Sequence, residues 1–166
     1  MTISIQRFRS ILDEMEISHV FHKESGVIEF LIHETDPVTA VFKILICVSE
    51  EREMIQATGI LCEKDLDGSD DFQAAYRFCN QWHADTIMPK AVVNTEGKFL
   101  ACEWSWDSDV GFDDDALKGL IVNFIQGTEL CINRAAEAGL YHFEKQADER
   151  PKGLLEKVAA LLPGRK

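Results

Sequence analysis

The 166-residue sequence has no apolar run long enough to cross a membrane. Its longest uninterrupted apolar stretches, such as Ile44 to Val48, are far shorter than the ~20 residues that a transmembrane helix requires. Arg7 and Arg9 interrupt the apolar core that a secretory signal would need in the first residues. A small-residue cleavage site is also missing after them. We therefore expect a cytoplasmic protein with no membrane partner.

Basic residues are scarce as well. The chain has 17 Lys and Arg residues against 29 Asp and Glu residues, for a formal net charge of -12 and an isoelectric point near 4.8. Proteins gain nonspecific affinity for nucleic acids when Lys and Arg displace the counterions condensed on phosphates. A surface this acidic repels phosphates, so we expect no nucleic-acid partner.

Cysteines are few and do not form paired motifs. Four of the five lie inside apolar runs, and no two form a C-x-x-C pair. The five are spread along the chain at Cys47, Cys62, Cys79, Cys102 and Cys131. Free cysteine in such runs commonly serves as a small buried apolar residue. The pattern is typical of a reducing compartment.

Catalytic signatures are also missing, since the sequence has no G-x-S-x-G elbow, phosphate-binding loop or dinucleotide fingerprint. We expect no enzyme, no catalytic residue, no cofactor and no resident metal. The acidic cluster from Asp107 to Asp115 could hold a hard cation through oxygen ligands. The preferred interpretation is that Asp113 to Asp115 lie at the start of the following helix, where carboxylates favour its positive end. A competing hypothesis is therefore a small-molecule sensor or a metal-assisted hydrolase, with a pocket between sheet and helices.

Apolar periodicity in the first half predicts one helix and then strands. Helical spacing follows Thr2, which we predict to be the N-cap of the first helix. His19 to His22 could add a short first strand or a lead-in. Three β-branched runs then predict an antiparallel meander: Val27 to His33, Val38 to Val48 and Met54 to Cys62.

The second half repeats this order with fewer strands. A helix capped by Ser69 or Asp70 is predicted to face inward with Phe72, Ala75, Tyr76, Cys79 and Trp82. Two strands follow between Ala91 and Trp106 with a turn at Glu96-Gly97, and then a long helix from Leu117 ends near Gly139. The predicted fold is α+β, helix-βββ-helix-ββ-helix, with a five-stranded antiparallel sheet covered by helices over residues 1–140.

Residues 141–166 are predicted to form a helical extension. Pro151 suits a first helical turn, and Leu154, Leu155 and Val158 share one face of the segment that follows. This mildly basic segment could dock on the acidic domain, within one protomer or across a dimer. Alternatively, it is an ordinary terminal helix that closes the core.

The predicted last strand carries two tryptophans on one face. Leu100, Cys102, Trp104 and Trp106 alternate along it, so their side chains point the same way. They either form the inner face of the sheet or, where the helices leave that face open, serve as anchors for a dimer or a protein client.

A run of short motifs resembles the YbjN family of bacterial proteins, which are labelled as sensory transduction regulators and have a fold similar to type III secretion chaperones. The matching stretch extends from Phe72 to about Ile132. It comprises an Asn-x-Trp near the end of the middle helix, a Pro-x-Ala opening the next strand, a turn glycine and a glycine before the last helix: Asn80, Trp82, Pro89, Ala91, Gly97 and Gly111. In this sequence His83 follows the Trp where the family often has Asn, and Val110 precedes Gly111 where the glycine is often doubled.

The resemblance implies a homodimeric domain that acts by binding other proteins, and we expect the six motif positions to be structural. The leading hypothesis is a chaperone-like or regulatory protein with an unidentified protein client. Its interface would use Leu100, Trp104, Trp106, Leu154, Leu155 and Val158.

Overall fold

A computed structural model describes residues 4–33, 41–49, 54–61, 66–107 and 111–140. The predicted order of elements is confirmed, with one additional strand. The helices and strands are α1 (Ile5–Glu14), β1 (Val20–His22), β2 (Val27–His33), β3 (Val41–Ser49), β4 (Met54–Leu61), α2 (Ser69–Asp85), β5 (Lys90–Asn94), β6 (Phe99–Asp107) and α3 (Asp114–Glu137).

The six strands form one antiparallel sheet in the order β1-β2-β3-β4-β6-β5. The sixth strand is β1, which pairs with β2 at one edge over three residues. The sequence allowed for a short strand here but did not establish it, because three residues hold too little alternation to be distinguished from a loop.

Two helix starts differ from the prediction. Ser4, not Thr2, caps α1, and its hydroxyl accepts a hydrogen bond from the Arg7 backbone N–H. The N-cap of α2 is Gly68 with no side-chain hydrogen bond, and Ser69 is the first helical residue. In both helices the N-cap is the residue with an extended backbone directly before the first helical residue. The backbone therefore determines which residue is the cap, and the side-chain type alone does not.

One hydrophobic core joins all three helices to one face of the sheet. Its inward residues include Ile28, Ile44 and Ile55 from central strands, and Phe8 of α1 and Phe124 of α3 from the helices. Tyr76 of α2 was predicted to face inward, but its side chain is 47% exposed, whereas Ala75, Cys79 and Trp82 are buried as expected. The inward stripe of α2 is therefore narrower than its apolar residues suggested.

The start of α3 is tied to α1. Asp113 caps α3 by accepting a hydrogen bond from the Ala116 N–H at 2.8 Å. The Arg7 guanidinium binds the Asp114 carboxylate at 2.6 Å and also donates to the carbonyl oxygen of Phe112. None of the described helices combines the length and apolarity required to cross a bilayer.

Candidate functional site

The sheet has a second face that no described helix covers. Side chains alternate along each strand, so the residues between the core positions point away from the three helices. Strand pairing aligns them in rows across the sheet. We call this surface the open sheet face; its apolar members include Val27, Leu31, Leu45, Cys47, Ile60, Val92 and Ala101.

One row of the open sheet face is almost entirely apolar. Pairing places Leu31 beside Lys43, Lys43 beside Ile60, and both Ile60 and Val92 beside Ala101. Leu31 is 44% exposed, whereas Ala101, the smallest side chain in the row, is 1% exposed. An outward row of a solvated antiparallel sheet is ordinarily polar. This row is instead suited to bind another apolar surface.

The neighbouring rows are mixed in polarity. Glu29 lies beside Leu45, and Leu45 lies beside Thr58. On this part of the face the Glu29 carboxylate binds Lys43 Nζ at 3.1 Å and His22 Nε2 at 3.0 Å. The hydrogen bond from Lys43 lowers the pKa of Glu29, burial opposes that shift, and the hydrogen bond from His22 adds to it. The open sheet face therefore combines one largely apolar row with a carboxylate whose pKa is lowered by its ion pairs.

This ion pair makes a predictable contribution to the pH dependence of stability. Because the folded-state pKa of Glu29 is lowered, its stabilisation is present above the unfolded-state value near 4.5 and is lost as pH falls through the folded value. A double-mutant cycle of Glu29→Gln and Lys43→Met should give a coupling of up to ~1 kcal/mol at pH 7 and a smaller coupling at pH 3. Urea denaturation at each pH measures it, and a coupling that does not change with pH would contradict the assignment.

The two tryptophans of β6 lie on the helix side of the sheet. Leu100 is only 5% exposed and belongs to the core, so its side chain is not on the surface in this conformation. Trp104 and Trp106 are half-buried and pack edge to face at 5.4 Å, and Trp104 also lies 6.4 Å from the Phe124 ring. The Trp106 indole nitrogen is buried with no hydrogen-bond partner among the described residues.

Three of the motif positions meet between α2, β5 and α3. The Trp82 indole N–H donates to the buried Pro89 carbonyl oxygen at 2.7 Å, and the Trp82 ring stacks on Phe78. Ala91 is buried in the core, and the Pro89 ring lies against α3 at Gly127, where a Cβ would have no room. This arrangement joins the middle helix, the strand that follows it and the long helix.

The other motif positions lie on the surface. Asn80 is exposed on α2, and Gly111 is exposed just before α3. Gly97 lies in the turn between β5 and β6, where its N–H donates to the Asn94 side-chain oxygen at 2.6 Å. These residues do not share a common site with Trp82 and Pro89.

The chain has the fold of E. coli YbjN. The crystal structure of that protein, which is described as a candidate transcription regulator, matches with a TM-score of 0.67 and covers 87% of this chain and 100% of its own. The two sequences are 12% identical, so the likeness is one of fold. Neither a protein-family model nor a curated protein matches the chain.

The YbjN-like fold confirms the α+β class and the order of elements that the motifs indicated. The likeness to type III secretion chaperones remains a prediction. So does the helical extension with Leu154, Leu155 and Val158, because residues 141–166 lie outside the described part of the chain.

The acidic cluster before α3 is largely engaged in structural contacts. Asp113 caps the helix, and Asp114 is paired with Arg7. Among residues that the structure describes, no group of three or more His, Cys, Asp or Glu side chains is placed to hold a metal ion. Asp109 lies outside those residues. For Asp113 the helix-start interpretation of the cluster is therefore correct.

Three thiols lie together in the core on the helix side. The Cys102 and Cys131 thiols share a hydrogen bond, and this bond and burial raise the pKa of Cys102 well above its usual value. Burial, and then the neighbouring Cys131, raise the pKa of Cys79 to about 11. All three are buried free thiols, so they act as apolar packing groups.

Thiol reactivity tests this assignment. At pH 8 a pKa of about 11 leaves Cys79 with roughly one-hundredth of the thiolate of a thiol at 9.0. In a Cys62→Ser background, we expect Ellman's reagent to label half-buried Cys47 first and the three core thiols only after denaturant is added. Labelling of Cys79 or Cys102 as fast as Cys47 in native protein would show that the core is open.

The open sheet face is the feature that the sequence analysis missed. A signal was present, because Ile44 to Val48 is a continuous apolar run, whereas a strand with one solvated face alternates. In that run Ile44 and Ile46 are buried in the core, and Leu45 and Cys47 point to the other side. The run thus indicates a strand that needs cover on both faces.

Proposed function

We propose that this chain is a non-enzymatic regulatory protein whose open sheet face binds an apolar, basic segment of another protein. The observation that carries the proposal is a row that is apolar except for Lys43, on a face over which no described helix lies: Leu31, Lys43, Ile60, Ala101 and Val92. Contiguous apolar patches on a protein surface commonly mark sites of protein association.

Charge indicates the chemistry of the partner. Residues 1–140 carry 25 acidic and 11 basic side chains, a formal charge of -14. Opposite charge steers a partner toward such a surface, and like charge suppresses wrong partners. A segment with apolar residues on one side and Lys or Arg on the other can pack against the apolar row and is also attracted by the negative charge of the surrounding surface.

The regulatory part of the proposal is supported by the fold. E. coli YbjN, which shares this fold, is described as a candidate transcription regulator. A chain with an isoelectric point near 4.8 is poorly suited to bind DNA by itself, because it would have to displace counterions with few cations. We propose that any regulation by this chain acts through a protein partner.

We also propose a homodimer, as the resemblance to the YbjN family implies. Sedimentation equilibrium at micromolar concentration should give about twice the chain mass of 18.8 kDa. A monomer over the whole accessible range of concentration would contradict the dimer but leave the binding face untouched.

Photo-crosslinking tests the binding face directly. A benzophenone amino acid replaces either Leu31, on the open sheet face, or Leu130, which lies on α3 and is 50% exposed. The two leucines have similar exposure on opposite sides of the molecule, so Leu130 is a matched control. We expect a discrete protein to be crosslinked from position 31 in cells and not from position 130.

The captured partner is then purified and its affinity is measured against charged variants at the same two positions. Burying a leucine side chain is worth ~1.5–3 kcal/mol, so Leu31→Asp should weaken binding about 10- to 100-fold while Leu130→Asp leaves it unchanged. Equal effects of the two variants, or crosslinks from position 130 alone, would refute the proposed face. Circular dichroism of both variants establishes that each is folded.

A further inference from the structure

The long helix carries the chain toward the apolar row of the sheet. Along α3, Phe124 lies near Trp104, and Thr128 lies against Gly59. Farther along the helix, Cys131 shares a hydrogen bond with Cys102, which pairs with Gly59 in the sheet. The helix therefore runs antiparallel to β6, from the Trp106 end toward Phe99. Ala101 and its row belong to that latter half of the sheet.

The described chain ends beside this part of the sheet. Glu137 is the last residue of α3, and Leu140 still packs against the core. Twenty-six more residues, 141–166, follow in the sequence. The 11 residues from Leu140 to Pro151 can span up to about 36 Å, which exceeds the roughly 10 Å between packed layers. The chain is long enough to pass around the end of the sheet to its other face.

The segment after this connection has the chemistry that the open sheet face requires. Its apolar residues recur at helical spacing and form one stripe: Leu154, Leu155, Val158, Leu161 and Leu162. Residues 150–166 carry five basic side chains and one acidic one, a formal charge of +4 opposite the -14 of residues 1–140. This segment of the chain therefore has the same apolar and basic chemistry that we propose for the segment of the partner protein.

We infer that residues 151–162 bind the open sheet face of their own chain as an amphipathic helix and thereby compete with the protein partner. The inference rests on the proposed function of that face. A tethered segment has an effective concentration on the order of millimolar, so docking within one chain prevails over docking onto a second copy unless the geometry forbids it. The partner must then displace the segment, and its apparent affinity is reduced by the fraction of chains in the docked state.

Crosslinking of the purified full-length chain tests docking without any partner. Chains carrying benzophenone at position 31 are prepared in natural-abundance and ¹⁵N-labelled forms, mixed in urea and refolded together so that dimers contain both labels. After irradiation, the crosslinked peptides are identified by mass spectrometry. We expect crosslinks from position 31 to residues 151–162 that join peptides of the same label. Mixed-label crosslinks would assign the segment to a second copy and overturn docking within one chain.

Two substitutions within the segment provide matched variants. Val158 lies at the centre of the apolar stripe, whereas Ala160 lies on the opposite side of the same predicted helix. Val158→Asp should lower the crosslink yield about tenfold and increase the fluorescence of 1-anilinonaphthalene-8-sulfonate as the apolar face is uncovered. Ala160→Asp adds the same charge and should change neither quantity.

The same experiments separate failure of the inference from failure of the proposed function. If position 31 crosslinks a partner in cells but never residues 151–162 in purified protein, the binding face stands and self-docking is refuted. If Val158→Asp tightens partner binding about tenfold and Ala160→Asp does not, competition is established. Partner affinity that is equal in the two variants would refute competition, and the absence of every crosslink from position 31 would refute both proposals.

Discussion

Replacing Trp82 by alanine is expected to lower the free energy of unfolding by about 3–5 kcal/mol, the range for removing a buried tryptophan. The side chain is 5% exposed, stacks on Phe78 and donates its indole N–H to Pro89. Urea denaturation followed by circular dichroism measures the change. Because Trp82 connects α2 to the residues before β5, we expect this variant to be among the least stable single substitutions in the chain.

Trp82→Phe separates the hydrogen bond from the packing. Phenylalanine keeps an aromatic ring in the core but leaves the Pro89 carbonyl oxygen, which lies in a buried residue, without its donor. That loss should cost about 1–3 kcal/mol, less than the alanine variant. Substitution of Trp104, which is only half-buried, by phenylalanine is the control and should cost less than Trp82→Phe. Equal losses from the two Trp→Phe variants would show that the bond to Pro89 adds nothing.

The elements with long, regular periodicity were predictable from the sequence. Strand β2 was predicted at Val27 to His33, which are its bounds in the structure. The long helix predicted from Leu117 to near Gly139 corresponds to α3, whose apolar residues Leu117, Ile121 and Phe124 are buried. In both cases many residues repeat the same signal, so a single exception does not change the prediction.

Features that depend on one residue or on distant contacts were not predictable. Tyr76 lies close to Ala75 and Cys79 in helical spacing, so it was predicted to face inward. The stripe of α2 that packs on the sheet is narrower than the stripe of apolar residues, and Tyr76 lies outside it. The open sheet face requires the strand order, since Ile60 and Val92 lie beside Ala101 only because β6 lies between β4 and β5. No local pattern in the sequence encodes that order.

The predicted site residues also divide into those that a local sequence pattern could identify and those that depend on the packing of distant elements. Trp82 and Pro89 were chosen as motif positions from their order and spacing, and the structure brings them into contact. Leu100 was chosen as an interface residue because its strand carries tryptophans on one face, and α2 and α3 cover that face. Which face of a sheet the helices cover cannot be determined from alternation alone, because both faces of β3 are apolar.

Gly59→Ala is expected to destabilise the protein by about 1–3 kcal/mol through overpacking at the contact between β4 and α3. A Cβ at this position would lie 2.5 Å from Thr128 Cγ2 and 3.0 Å from Thr128 Oγ1. Thr128 is fully buried, so its side chain cannot move aside into solvent. The helix would have to shift away from the central strand, which would also disturb the neighbouring core.

A second substitution at Thr128 distinguishes this clash from a general cost of replacing a strand glycine. Thr128→Ala removes the two atoms closest to a new Cβ, Cγ2 and the hydroxyl Oγ1, and this hydroxyl has no hydrogen-bond partner among the described residues. We expect Gly59→Ala to cost about 1–2 kcal/mol less in the Thr128→Ala background than in the wild type. Additive costs in this double-mutant cycle would mean that Gly59 and Thr128 are not in contact. A strongly favourable coupling would instead show that this glycine determines how closely α3 approaches the sheet. The place where the chain leaves α3 toward the open sheet face depends on the same contact.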